Sequence, residues 1–337
     1  MTHSRRLFIK NSANVSAIWS LSAPLLGVLP FAAHAQADYP SRPIKIVVGF
    51  PAGGGTDVFA RALAQALAPL LGQSVVVDNK AGAGGVIAST SMLQSPADGY
   101  TLLMGSTSTQ AIAPQLYAKR PYAAADFTPI AHVASVGIVL VAHPSAPFSS
   151  VTELIAYAKS RPGQLNYASG GNGVTNHLAM ELLKRRTGTF ITHIPYRGSA
   201  PALQDVIAGQ VPLMFDSIAS AGAHIRAGKV KALGIAGLQR FDTLPGVPTI
   251  AESGGALSGF DTPGWVALYG PKALPASIVA KLQGAVAKVL ALPDLAQRFA
   301  AAGASPRYLN AADLTAYETG EIAKWGEAIV HSGAKLD

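Results

Sequence analysis

One pattern repeats along the chain. A short apolar run ends in small polar residues and glycine, and an amphipathic stretch follows. It occurs at "IKIVVGF" before "TDVFARALAQALAPLLG", at "YTLLMG" before "STSTQAIAPQLYA", and at "QLNYAS" before "GGNGVTNHLAMELLKRRTG". It returns at "THIPY" before "RGSAPALQDVIAG" and at "VPLMF" before "DSIASAGAHIRAG". Strands alternating with helices of this length predict an α/β fold with largely parallel sheets. The units differ in length, which argues against a solenoid.

The helices have local reasons. Phe59, Leu63, Leu67 and Leu70 or Leu71 recur every three or four residues, giving one apolar stripe, with Pro69 expected to end or kink it late. Ser150 and Glu153 are spaced as a capping box, and Pro162-Gly163 stops that helix. A further helix is expected between Pro275 and Pro293, and a last one after Asn310 as N-cap, weakened by Gly320 and Gly326. "VGIVLVAHP" (136–144) and "PGWVALYGP" (263–271) read as solitary apolar strands, candidates for crossovers between lobes.

Composition narrows the picture. A chain of 337 residues exceeds what one core usually serves, so two lobes are expected. Its start stands apart. "SRRLFIK" is a twin-arginine pair with a basic flank, a moderately apolar stretch follows, and Ala33-His34-Ala35 is a small-x-small cleavage site. Residues 1–35 therefore read as an export signal, of the twin-arginine type rather than an ordinary secretory one. Removing them, with Arg5, Arg6, Lys10 and no acid, takes the formal net charge from +8 to +5. With no dense basic run among aromatics, nucleic acid is not an expected partner. The absence of cysteine excludes disulfides, a lipid-anchored N-terminal cysteine and thiol chemistry. The product is expected to be a soluble periplasmic protein without a lipid anchor.

The glycine-rich loops carry the candidate chemistry. Ligands of parallel α/β sheets bind beyond the carboxyl ends of the strands, where helix N-termini offer free N–H groups to an anion. "FPAGGGTD" suits this use, as do "ASGGNGVT", "GSTST" and "YRGS". Nucleotide motifs fail: no lysine follows Gly55, and Ile87 stands where a dinucleotide fingerprint needs its third glycine. The "AGAGG" at 81–85 reads more simply as a strand-to-helix turn. No nucleophile elbow or metalloprotease motif occurs, and His177, His193 and His224 lack metal-ligand spacing, so no metal or cofactor is expected. Asp57 and Asp216 each follow a strand, where an acid either stabilises a helix start or binds a ligand. His177 is either a site residue or a packed one, and Trp265 either core or ligand wall.

Six blocks, in order, resemble the Bug family, the solute-binding components of tripartite tricarboxylate transporters. They are "YPSRPIKIVVGFPAGGGTDVFARALAQAL", "GQSVVVDNKAGAGGVIAS", "PADGYTLLMGS", "GQLNYASGGNGVTNHLAMELLKRRTG", "HIPYRGSAPALQDVIAGQVPLMFDS" and "LPGVPTIAESG". The resemblance covers the chain from about Tyr39 onward. It implies a type II periplasmic-binding-protein fold, two α/β lobes with a ligand cleft between them. Lobe 1 would comprise 37–137 and 262–337, and lobe 2 would comprise 138–261. It also implies a small organic carboxylate as ligand, no catalysis, and membrane subunits of a tripartite tricarboxylate-type transporter as partners of a monomer. Mapped by motif, the ligand-binding residues would be Pro51, Gly53, Gly54, Thr56, Asp57, Ser106, Thr107, Ser169, Gly170, Gly173, Thr175, His177, Tyr196, Gly198 and Asp216. Ala52, Val174 and Asn176 depart from the common family pattern, which leaves the particular acid unnamed. The alternatives are a ligand sensor or docking module of the same fold, and an α/β enzyme acting on an anionic substrate.

Overall fold

The computed structural model describes residues 39–332 and Ala334, so the export signal expected at 1–35 lies outside the described residues. Elements run in the order β1 (Ile44–Val48), α1 (Gly55–Leu71), β2 (Val75–Asn79), α2 (Val86–Leu93), β3 (Thr101–Ser106), α3 (Ala113–Leu116), β4 (Phe127–Val136) and β5 (Ile138–Ala142). There follow α4 (Val151–Ser160), β6 (Asn166–Ser169), α5 (Thr175–Thr187), β7 (Thr192–Pro195), α6 (Ser199–Ile207), β8 (Leu213–Ser217), α7 (Ile218–Arg226) and β9 (Lys231–Ile235). The chain closes with β10 (Gly264–Pro271), α8 (Ala276–Leu290), α9 (Pro293–Ala301), β11 (Ala304–Leu309) and α10 (Ala311–Ser332).

These strands form two sheets. One has six strands in the order β11-β4-β10-β3-β1-β2, the other five in the order β7-β6-β8-β5-β9. In the first, alternate residues of β1 serve opposite faces, as the pleat requires. Ile44, Ile46 and Val48 pack with Phe59, Leu63 and Leu67 of α1 and Leu282 and Val286 of α8. Val47 faces the other side, with Leu103, Trp265, Tyr269, and Trp325 of α10. The second sheet repeats the arrangement: Leu140 and Phe215 pack with Leu154, Met180 and Leu183. Val139, Val141 and Met214 face Leu203, Val206 and Ile218. Each sheet is thus covered by helices on both faces, which gives two α/β lobes.

The sheets are mixed, and the expectation of largely parallel sheets is corrected. β1 is parallel to β2 and β3, and β6 to β7 and β8. However, β10 is antiparallel to β3 and β4, β11 to β4, and β5 to β8 and β9. The reversed strands are those adjoining the passages between lobes. β4 and β5 are nearly continuous in sequence yet lie in different sheets, with Gly137 between them. The single strand expected at 136–144 is therefore split, and Val136 belongs to the first sheet. Gly137 N donates to Gly303 O at 2.9 Å and Gly137 O accepts from Ile218 N at 2.9 Å. A β-carbon at Gly137 would lie 2.6 Å from the Phe241 ring and 2.7 Å from Ile218, so the passage admits only glycine without displacement. β4 and β11 were not expected as strands. Their sequences, "FTPIAHVASV" and "ASPRYL", carry proline and no alternation.

Helix ends follow local chemistry. Pro69 lies inside α1, which ends two residues later at a left-handed Gly72. Ser150 caps α4 by accepting from Glu153 N at 3.1 Å, but Glu153 reaches Ser149 N rather than completing the reciprocal bond. Asn310 caps α10, accepting from Ala312 N and Asp313 N, and the helix runs through Gly320 and Gly326.

Candidate functional site

A cavity of about 90 Å³ lies where the two lobes meet. The first lobe contributes Phe50, Gly54, Gly55, Thr56 and the hydroxyl run Ser106-Thr107-Ser108. The second contributes Gly170, Thr175, Asn176, Ser199, Asp216 and Ser217. Val136, Ile138 and Trp265, beside the passages between lobes, close its apolar side. At about 10–15 Å³ per water-sized occupant, this holds roughly six to nine such units, the scale of a small organic molecule.

The sequence places helix starts here. Gly55 opens α1, Thr175 α5, Ser199 α6, and Ser217 caps α7. After β3 the chain enters a π-helical segment, Thr107–Ile112, capped reciprocally by Ser106 and Thr109. All these ends present N–H groups, and their dipoles favour negative charge. No lysine, arginine or histidine lines the cavity. The wall is therefore a set of neutral donors, with one acid, Asp216.

Asp216 is buried. Its Oδ1 accepts from Ser217 N at 2.8 Å, and its Oδ2 accepts from the Ser220 hydroxyl. Burial pushes its pKa up to about 6, against the lowering effect of Ser220, Ser217 N–H and Ser199. Asp57 is also buried but differs. Its Oδ2 accepts from Arg61 Nε at 2.9 Å and from Gly53 N at 3.0 Å, while Oδ1 accepts from Asn79 Nδ2 at 2.9 Å. Burial opposes its charge, but the bonds from Arg61, Gly53 and Asn79 prevail and hold its pKa below the usual range. Asp57 braces the "PAGGGTD" loop from behind.

Of the residues expected at the site, Gly54, Thr56, Ser106, Thr107, Gly170, Thr175 and Asp216 line this cavity, and the rest do not. Pro51, Tyr196 and Gly198 line an adjoining cavity of about 310 Å³, which shares Phe50 and Gly170 with the first. Gly53 donates to Asp57, and Gly173 N donates to His177 Nδ1 at 3.0 Å. Ser169 bonds His193 Nε2 at 2.6 Å and accepts from Gly171 N at 3.1 Å. His177 and His193 stack at 4.1 Å, with Tyr167 beyond at 4.8 Å from His193. Burial lowers the pKa of these histidines to about 4 and about 3, so both are neutral imidazoles under the "ASGGNG" loop. Of the turn at 81–85, Gly82, Ala83, Gly84 and Gly85 line the adjoining cavity.

Ser199 ends the "YRGS" loop expected to hold the ligand, whereas Ser108, Ser217 and Phe50 are not among the residues expected at the site, although each adjoins one that is. Ser108 matters most. Its Oγ accepts from Thr175 N at 3.0 Å and meets Thr175 Oγ1 at 2.9 Å. Val174, at the N-cap of α5, makes no side-chain cap bond, so the other lobe supplies the cap. Thr175 is thus the first helical residue, not the cap. Trp265 serves both roles left open for it. Its backbone N donates to Thr107 Oγ1 at 2.9 Å on the cavity side, while its indole is core, donating to Glu321 at 3.0 Å.

Two α/β lobes, joined where strands change sheet and enclosing a cavity of helix starts, define a solute-binding protein of the type II periplasmic-binding-protein fold. Residues 59–334 match the model described as "Tripartite tricarboxylate transporter family receptor", and the chain belongs to that family. It is 38% identical to Protein BugT of Bordetella pertussis over 96% of this chain and 99% of that one. Among solved structures it is similar to R. palustris Rpa4515 with adipate, at a TM-score of 0.86 and 36% identity, covering 89% of this chain and 100% of that one. It is similar also to MatC (Rpa3494) from Rhodopseudomonas palustris with bound malate, at a TM-score of 0.81 and 35% identity, over 86% and 100% of the two chains.

Proposed function

We propose that this protein is exported and captures a small organic carboxylate in the interlobe cavity, for delivery to membrane subunits of a tripartite tricarboxylate-type transporter. The observation that carries this reading is the wall itself: helix N-termini from both lobes, hydroxyls, and no basic side chain. Such a wall favours one anionic end of a ligand while leaving it free to depart. The solved relatives holding adipate and malate support the ligand class.

Lobe 1 comprises 37–137 and 262–337, and lobe 2 comprises 138–261, in keeping with the change of sheet at Gly137 and between β9 and β10. Gly54, Thr56, Ser106, Thr107, Thr175 and Asp216 contact the ligand directly. Asp57, Ser169, Gly173 and His177 hold the loops that do. The protein works as a periplasmic monomer and returns its ligand unchanged. The twin-arginine signal at 1–35 directs export.

The test is a thermal-shift screen of a carboxylate library on residues 36–337. A ligand at a hundred times its Kd adds about 2.7 kcal/mol of stability. Mass spectrometry of the recovered ligand accompanies it. A ligand returned chemically altered would favour an α/β enzyme, and no stabilisation by any carboxylate would overturn the reading. Intact binding in a strain lacking the membrane subunits, with a sensor responding, would favour the sensor role.

A further inference from the structure

The cavity contains a chemical conflict. It is built for an anion, yet Asp216 forms part of its wall, buried and without a cation. A carboxylate ligand and an ionised Asp216 would be two like charges in one desolvated space, an arrangement in which one of the two takes up a proton. The neighbouring cations are engaged or remote. Arg61 pairs with Asp57, and Lys184 with Glu181. Arg197 is exposed and lines only the adjoining cavity.

The other titratable groups on elements packed against β8 are directed elsewhere. On α5, His177 accepts from Gly173 N, and Glu181 accepts from Tyr167 and Lys184. Arg185 and Arg186 lie in the last turn of α5, away from the cavity end. On α6, Asp205 accepts from the Tyr196 hydroxyl. On α7, His224 and Arg226 lie in the last turn, at the opposite end from Ser217. β5 carries no titratable side chain, and on β6 the Tyr167 hydroxyl donates to Glu181. Among the described residues, therefore, no charged group compensates Asp216.

We infer that capture of a carboxylate places a solvent proton on Asp216, which then donates a hydrogen bond to the ligand oxygen. The inference rests on the carboxylate reading above and deepens it. The geometry permits this: with Ser217 N on Oδ1, the Ser220 hydroxyl on Oδ2 and a further bond from Ser199, the carboxylate's roughly four lone-pair directions leave one for the proton. The empty protein is poised for the step, since burial already brings Asp216 close to neutrality at about pH 6. A ligand anion raises it further. The site consequently binds its carboxylate more tightly as the medium acidifies toward neutrality.

The experiment is isothermal titration calorimetry of residues 36–337 with adipate, at about pH 7, in buffers of different ionisation enthalpy. The expected result is net uptake of at least about half a proton per ligand, with Kd rising up to about tenfold per pH unit above neutrality. In Asp216→Asn both the uptake and the pH dependence disappear. If that variant does not fold, the ¹³C shift of the Asp216 carboxyl in the wild-type complex reports its protonation directly. Binding without proton uptake overturns the inference and leaves the carboxylate reading standing. Uptake that persists in Asp216→Asn places the proton on the ligand and also overturns it. If glutamate binds without uptake while adipate and other simple acids do not, Asp216 is an ionised partner for an ammonium group, and the inference fails. If no acid in the screen binds, the carboxylate reading falls and takes the inference with it.

Discussion

Ser108 offers a direct test of how the lobes cooperate. It belongs to the π-helical segment after β3, yet its hydroxyl caps a helix of the other lobe, taking Thr175 N at 3.0 Å and meeting Thr175 Oγ1 at 2.9 Å. Both groups are buried where they meet. With the lobes apart, water satisfies the same atoms, so Ser108→Ala penalises only the closed arrangement. One or two hydrogen bonds at about 1 kcal/mol each amount to about 1–2 kcal/mol, or a 5- to 30-fold weaker Kd for any ligand that requires closure. Ser108 also lines the cavity, so a single variant mixes latch and ligand contact. The cycle Ser108→Ala, Thr175→Ala and the double variant isolates the hydroxyl pair, with an expected coupling of about 0.5–1.5 kcal/mol in ligand binding. Small-angle scattering at one limiting ligand concentration should show a larger radius of gyration for Ser108→Ala than for wild type. A Kd within about twofold of wild type, together with coupling below about 0.3 kcal/mol, would refute the latch.

Other outcomes are expected from the same geometry. Asp216→Asn should raise the stability of the empty protein by about 3 kcal/mol at neutral pH but little near pH 4, because a carboxyl with a raised folded pKa stabilises below its unfolded value of 3.8 and loses that contribution as pH rises through about 6. Denaturant titrations at the two pH values check this, and a pH-independent difference would contradict it. Gly198→Ala should weaken ligand binding more than tenfold, since a β-carbon there would sit 2.3 Å from Pro51 Cδ across the lobes at a φ of +119°. Calorimetry measures the loss, and unchanged affinity would show that this approach is dispensable. Affinity should change less than about threefold between low and physiological salt, because neutral donors in a shielded cavity are little screened. A steep salt dependence abolished by Arg197→Gln would instead assign recognition to the adjoining cavity. Replacing Arg5 and Arg6 with lysine should strand the precursor in the cytoplasm, and normal export would favour the ordinary secretory route.

The sequence exposed the strand-to-helix units well, because each ends in a glycine-rich loop and begins with an apolar run. The starts of α1, α5, α6 and α7 were legible for that reason. The sheets were less so. β10 reads as an apolar strand, but nothing in "GWVALYGP" reveals that it runs against β3 and β4. Direction is a property of the connection, and the connection from β9 to β10 is long and irregular. Among candidate residues, the loops were identified but not which side of each loop faces the ligand. Asp57 and Thr56 are adjacent, yet Thr56 lines the cavity while Asp57 turns back onto Arg61 and Asn79. Asn79 lies 22 residues away on β2, a contact that no local pattern encodes. Ser108 escaped for the same reason, since its partner is 67 residues distant.

The choice of neutral donors over basic side chains has a mechanical consequence. A lysine in the cavity wall would be hydrated with the lobes apart and would lose that hydration on closure, at a cost of several kcal/mol even before ligand enters. Backbone N–H groups at helix starts are already fixed in direction by their helices. The starts of α1 and the Thr107 segment belong to one lobe, and those of α5, α6 and α7 to the other. An anion meeting one lobe alone therefore meets only part of the donor field. The remainder arrives when Gly55 approaches Ser217 and Ser108 reaches Thr175. An anion that needs donors from both lobes would therefore favour a closed form over an open one, and such a difference is the thermodynamic requirement for a ligand to drive closure. A single strong cation on one lobe would bind the anion nearly equally in both forms. It would hold the ligand without signalling its presence to a membrane partner.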